Sequence, residues 1–131
     1  MLHTYSNLDS TTEARITEVI DCGFVIHRDV GPGFMEPLYS NAMCVELRTR
    51  NIPFEREKVV TVKYRDEPVG IHRLDFVIWE CIVVELKAVK ALEPAHHAQI
   101  MAYMKASRIR VGLLMNFCAA TFKEGTKRIV L

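Results

Sequence analysis

Residues 71–89 read IHRLDFVIWECIVVELKAV, and the way this stretch pairs with itself decides the fold. Two runs rich in β-branched and apolar residues, 71–78 and 82–89, flank Trp79-Glu80-Cys81, a pattern that predicts an antiparallel hairpin. Strict alternation puts Ile71, Arg73, Asp75 and Val77 on one face of the first strand, and His72, Leu74, Phe76 and Ile78 on the other. In the second strand Val83, Glu85 and Lys87 share a face, opposite Ile82, Val84 and Leu86. A three-residue loop at 79–81 sets Ile78 against Ile82 and Asp75 against Glu85, so two carboxylates and an ammonium meet on one face. Such a grouping is costly in a half-buried sheet unless a cation or substrate compensates it. The other reading is a Glu85–Lys87 or Asp75–Lys87 salt bridge on a solvated face.

Outward from this hairpin, helices precede and follow. From Thr12, with Thr11 or Thr12 as N-cap, Ile16, Val19, Ile20, Ile26 and Val30 recur at helical spacing with Gly23 on the same stripe. Gly31-Pro32-Gly33 stops that helix. A second helix is expected from about Glu36 to Arg50, with Pro37 in its first turn and Leu38, Ala42 and Val45 facing inward. Residues 54–64 alternate as a strand, 65–68 turn, and the next strand starts near Gly70. Pro94 opens a third helix with His97, Ile100, Met101 and Met104 on its buried stripe. Residues 110–117 and 127–131 read as the last strands. The order ααβββαββ is α/β: a mixed central sheet flanked by helices. Met35, Met43, Met101, Met104 and Met115 are expected to fill the core.

The 131 residues, 50% hydrophobic and 25% charged, suit one domain, expected over 12–131 behind a flexible 1–11. No stretch approaches the ~20 apolar residues of a membrane span, and the N-terminal residues lack a basic and apolar leader pattern, so a cytoplasmic location is expected. Cys22, Cys44, Cys81 and Cys118 form no CxxC or CxxH pair; they are expected to be reduced, buried thiols and not a zinc site. Residues 1–47 carry two basic and seven acidic side chains, whereas 48–131 carry fifteen basic and nine acidic. That asymmetry permits a basic face without requiring one.

Hard oxygen ligands on adjacent strands suit Mg²⁺, held by one or two carboxylates with several waters retained. A lysine two residues past Glu85 can orient or help deprotonate the attacking water. Leu74-Asp75 with Glu85-Leu86-Lys87 resembles the bipartite motif of the PD-(D/E)xK nuclease superfamily, with Leu74 where a Pro often stands. Gly33-Phe34-Met35-Glu36-Pro37-Leu38-Tyr39 is similar to the pattern that names the GxxExxY family within it. Gln99-Ile100-Met101-Ala102-Tyr103 resembles the QxxxY helix motif of the exonuclease-like branch. With ELRTRNIPFERE, VELKAV and GLLMNF, the resemblance covers about residues 12–131 and implies a restriction-endonuclease-like core.

The resemblance implies that Asp75 and Glu85 ligate Mg²⁺ or Mn²⁺ with the Leu86 carbonyl as a third contact, and that Lys87 positions the water. Glu36 either completes the metal shell or is a first-turn acid favoured by the helix dipole. Tyr39, three residues on, either orients that carboxylate or packs in the core. The resemblance makes Gln99 a contact to the site or to substrate phosphate. Tyr103 shares a helix face with Gln99 and His96, and is either packing or a substrate contact. His96 flanks the site and His97 is structural. Arg73 is a candidate to neutralise the site or touch a phosphate. Lys105, Arg108, Arg110, Lys123, Lys127 and Arg128 are candidates for backbone contacts. Trp79 either stacks on a base or caps a core edge.

The function so implied is a Mg²⁺- or Mn²⁺-dependent nuclease hydrolysing DNA or RNA. Its specificity would come from loops, a homodimer or a partner protein. Two other classes fit the same residues: a non-catalytic nucleic-acid-binding or assembly module that keeps the nuclease fold, and a hydrolase of small phosphorylated molecules.

Overall fold

A computed structural model describes residues 8–131. The elements are α1 (Ser10–Val30), α2 (Glu36–Thr49), β1 (Phe54–Tyr64), β2 (Glu67–Ile78), β3 (Ile82–Lys87), α3 (Pro94–Ser107), β4 (Val111–Asn116), α4 (Phe122–Gly125) and β5 (Thr126–Val130). The expected order holds, with the single-turn α4 inserted before the last strand. The sheet runs β1-β2-β3-β4-β5. All neighbours are antiparallel except β3 and β4, which α3 joins as a crossover. Among the described residues no helix is long and apolar enough to cross a membrane.

Both sheet faces are covered. Phe76, Ile78, Ile82, Val84, Leu86, Leu113 and Met115 pack under α1 and α2, against Ile16, Val19, Ile26, Tyr39, Met43 and Leu47. Val77, Val83 and Leu114 pack under α3, against Ile100, Tyr103 and Met104. Strands buried on both faces explain the near-continuous apolar run IVVELK. All four cysteines are free thiols; Cys22 and Cys44 are buried and the other two half-buried. Burial pushes the Cys22 thiol up to about 11.

Several local expectations need correction. Asp9, not Thr11 or Thr12, caps α1: its carboxylate accepts the Thr12 N–H at 2.7 Å. Expectations for residues 1–7 lie outside the described residues. On α2 the buried stripe is Tyr39, Met43, Cys44 and Leu47. Leu38 and Val45, expected inside, are 37% and 61% exposed. The helix is turned by one residue because Tyr39 anchors it, stacked on Phe117 at 4.7 Å between ring centroids. Met35 is exposed, as is His97, whose place on the α3 stripe goes to Tyr103. β2 begins at Glu67 because Arg65 and Asp66, with φ of 49° and 64°, make a two-residue turn that leaves Pro68 in the strand. β3 stops at Lys87, two residues short of Val89.

Asn116 is a buried polar side chain that sequence periodicity does not single out. Its Oδ1 accepts the Val89 N–H at 3.1 Å and the Cys118 N–H at 3.2 Å, and its Nδ2 donates to the Val89 carbonyl at 2.9 Å. It thereby pins the chain leaving β3, two residues beyond Lys87. Replacing it by an apolar residue of similar size leaves the Val89 amide and carbonyl without these partners. Asn116→Leu is expected to lower unfolding free energy by about 2–4 kcal/mol in urea titration, with an unchanged m-value.

Candidate active site

The β2–β3 ladder pairs Ile78 with Ile82 and Phe76 with Val84, the register that sets Asp75 against Glu85. Beyond Phe76 the two side chains take over from the ladder. The Asp75 N–H donates to Glu85 Oε1 at 3.1 Å, and the Leu86 N–H donates to Asp75 Oδ2 at 2.8 Å. Each carboxylate thus occupies a place that a strand carbonyl would fill in a continuous sheet. Flanking residues fix both: Leu74, Phe76, Val84 and Leu86 are fully buried. Glu85 is itself only 5% exposed.

The alternation expected along β2 breaks at this point. His72 and Leu74 lie on the α3 face, where His72 stacks on Tyr103 with ring centroids 3.9 Å apart. Phe76 and Ile78 lie on the α1–α2 face. β1 turns over at the facing position: Arg56 reaches Ser40 and Asn41 on α2, whereas Val60 packs with the α3 cluster. Between them Glu57 has φ of 53°, and Glu57 and Asp75 are the facing residues that the β1–β2 register skips. Both strands rotate there, so Arg73 does not share the Val77 face as strict alternation requires. Arg73 is exposed and makes no hydrogen bond or ion pair to the site residues.

Glu57 is the site acid that sequence reading misses. A two-residue turn at 65–66 sets residue 57 against 74; the extra residue Val69, a bulge, shifts the register and sets Glu57 against Asp75. The bulge has no signal in the sequence beyond Gly70 following it.

Electrostatics binds these groups into one cluster. Burial, then the Asp75 charge, pushes the Glu85 carboxyl up to about 8. Burial also raises Asp75, against the Leu86 N–H and the Lys87 charge, with Glu57 raising it further. Glu36 is raised by burial and by Asp75 and lowered by Lys87, which places this first residue of α2 within the field of the pair. Burial and the two carboxylates push the Tyr103 phenol up to about 12. Lys87 Nζ donates to Gln99 Oε1 at 2.9 Å and makes no ion pair with either carboxylate.

Other candidate residues are used structurally. The Tyr39 hydroxyl donates to the Gly31 carbonyl at 2.7 Å and accepts the Phe34 N–H at 3.2 Å. It fastens the 31–34 turn and makes no bond to Glu36. His96 Nδ1 accepts the Glu93 N–H at 2.9 Å as half of a capping box on α3. Trp79 packs on the core edge with the Arg15 guanidinium 5.1 Å from its ring. Arg128 is paired with Glu13 at 2.7 Å and Arg110 with the Leu131 carbonyl at 2.9 Å.

Among the described residues no three His, Cys, Asp or Glu side chains are grouped so that they could hold a metal ion. What is present is a pair of oxygen donors of the kind a hard cation takes, the Asp75 and Glu85 carboxylates, each accepting an amide of the other's strand. Without a cation the pair retains a proton that the unfolded chain has lost near neutral pH. Glu85's contribution to stability is therefore fullest below its ordinary 4.5 and is lost as pH rises toward about 8. In chelator, Glu85→Gln is expected to be more stable than the native protein at pH 8, on the order of a few kcal/mol. The difference should shrink at pH 5, as measured by urea denaturation at both values.

A sequence profile of the PD-(D/E)XK nuclease superfamily matches residues 13–129. No curated protein and no solved structure matches the chain significantly. The profile runs from the fourth residue of α1 through α2 and the strands to the next-to-last residue of β5, and includes Asp75, Glu85 and Lys87. The chain belongs to the PD-(D/E)XK nuclease superfamily.

Proposed function

We propose that the chain is a divalent-metal-dependent nuclease that hydrolyses phosphodiester bonds of DNA or RNA. One observation carries the reading: two acids are buried side by side, each accepting an amide of the other's strand and each with its carboxyl raised, while the adjacent Lys87 is hydrogen-bonded to Gln99 and ion-paired with neither. A bound cation would favour their charged forms. Asp75, Glu85 and the Leu86 carbonyl, with Glu36 beside them, would hold Mg²⁺ or Mn²⁺, which when bound supplies charge stabilisation at a phosphoryl oxygen and acidifies a water.

The protein's own groups do the rest. The Leu86 N–H fixes the rotamer of Asp75, and Glu85 is fixed in turn by the Asp75 N–H. An ammonium has three hydrogens; Gln99 takes one from Lys87, leaving two to hold an attacking water and a phosphate oxygen in line. Gln99 is therefore a positioning residue for Lys87, and Tyr103 forms the wall beside the carboxylates. Gly33, Glu36 and Tyr39 support placement in the GxxExxY family: Tyr39 fastens the turn from which Glu36 starts α2. We take residues 12–131 as the single nuclease-like domain, acting in the cytoplasm, with selectivity supplied by loops, a second copy or a partner protein.

Calorimetry with Mn²⁺ tests the metal site. The native protein is expected to bind and the Asp75→Ala/Glu85→Ala variant not to bind. If the native protein fails to bind Mn²⁺ both alone and with oligonucleotide present, the non-catalytic binding module replaces the nuclease reading. Cleavage of labelled DNA and RNA in Mg²⁺ should fall ~10²-fold or more in Asp75→Ala and in Lys87→Ala. Gln99→Ala should lose roughly 10- to 100-fold while keeping Mn²⁺ affinity, as expected of a group acting through Lys87.

A further inference from the structure

The turn that leads into Glu36 is built to hold apolar side chains in water. Phe34 is 49% exposed and Met35 80% exposed, immediately before the first acid of the site. Neither is there through slack. Gly31 and Gly33 adopt φ of 78° and 116°, values a side chain would strain. The Tyr39 hydroxyl ties Gly31 to Phe34, and the Phe34 ring sits edge-on to Tyr39 at 6.4 Å between centroids. The turn so held presents half of an aromatic ring and most of a thioether to solvent immediately before Glu36.

A second surface of the same kind stands on β1–β2. Past Glu57 and Asp75 these strands leave β3 and run on as a ribbon. Its Val60, His72 and Leu74 face α3. Val59, Thr61, Ile71 and Arg73 therefore face the other side, the side on which α2 lies. In register they form a patch, Val59 opposite Arg73 and Thr61 opposite Ile71, with Val59 48% and Ile71 66% exposed. Apolar groups interleaved with one guanidinium suit a ligand that alternates flat apolar rings with anions.

We propose that the site takes a nucleic-acid strand with unpaired bases, which stack on Phe34 and Met35 while Arg73 and the ribbon face hold the strand on the other side. This rests on the nuclease reading and names its substrate class. A base-paired duplex keeps its ring faces stacked and offers only backbone and groove edges, so it leaves Phe34 and Met35 without partners.

The test is fluorescence anisotropy in Ca²⁺ with labelled twelve-nucleotide oligothymidylate and oligouridylate, against a duplex of the same length. The native protein should bind a single strand at least tenfold tighter than duplex. Phe34→Ala and Met35→Ala should each weaken single-strand binding by roughly 5- to 100-fold, with Phe34→Trp restoring it and Mn²⁺ affinity unchanged throughout. One abasic nucleotide, scanned along the strand, should at a single position remove the difference between native and Phe34→Ala. Equal affinity for duplex, or an inert Phe34→Ala, overturns the inference. So does native self-association, by sedimentation, that Phe34→Ala abolishes, because a second copy then covers the turn. A protein that binds Mn²⁺ and cleaves duplex with Phe34→Ala inert keeps the nuclease reading and loses this one; absence of Mn²⁺ binding removes both.

Discussion

Everything at the site depends on a short exchange between two strands: each of two acidic side chains stands in for backbone on the other's strand. A sheet normally satisfies its amides with carbonyls; here Glu85 accepts the Asp75 amide and Asp75 accepts the Leu86 amide. The arrangement opens β2 from β3 without leaving those amides orphaned. Its cost is the burial of two acids side by side, which raises both carboxyls and leaves the pair holding a proton near neutral pH. The Leu86 and Asp75 amides and the nearby Lys87 charge offset part of that, although Lys87 itself is hydrogen-bonded to Gln99. The core supplies the rest. Leu74, Phe76, Val84 and Leu86, the sequence neighbours of the two acids, are fully buried, and each such side chain contributes about 1.5–3 kcal/mol. The carboxylates are held where they would not sit by choice.

The same opening shapes the outer structure. Once β2 leaves β3, the β1–β2 pair is free to rotate, and it does so at Glu57 and Asp75. The rotation brings Val60, His72 and Leu74 onto α3. That contact gives α3 a second anchor beyond β3 and β4, and it sets Tyr103 beside the carboxylates. Gln99, one turn earlier and next to the fully buried Ile100, is then positioned for Lys87. Asn116 restrains the other end by pinning the chain just past Lys87. Each polar site group adjoins a buried anchor, which is how a chain this short holds several groups in register.

Much of this was legible in the sequence. The three-residue loop at 79–81 and a side-chain period of two were enough to set Asp75 against Glu85, because turn length determines hairpin register. Helix order and the crossover follow from spacing, whereas the bond from Lys87 to Gln99 is a pairing that the motifs do not specify. What escaped depended on long-range geometry. Glu57 was hidden by the Val69 bulge, and the rotation of β1–β2 by the assumption that alternation persists through a strand. Apolar Leu38 and Val45 outrank Tyr39 in hydropathy, yet the stack of Tyr39 on Phe117 decides how α2 is turned. His96 offered a ring beside the site motif, yet the cap at Glu93 uses it. Side-chain type alone points Met35 to the core, whereas the turn before α2 holds it in water.

The uneven charge of the two parts of the chain has a structural use that bears on how a polyanion would be held. Arg50, from the basic part, meets Glu18, Asp21 and Glu46 at 3.4, 2.9 and 2.8 Å, and Arg128 meets Glu13 at 2.7 Å. These contacts tie α1 to the end of α2 and to β5. Two of the fifteen basic residues thus answer four of the seven acids of the first 47. Part of the asymmetry is thus used in ties within the fold. With a net charge of only +1 the chain as a whole attracts a polyanion weakly, and the acids around Asp75 oppose phosphates at close range. Affinity has to come from contacts that need no net charge or that bring their own: stacking on the turn and the ribbon, and a cation offsetting the pair. A nuclease so built would select its substrate by the accessibility of ring faces more than by charge density, and exposed Phe34 and Met35 are where that selection would act.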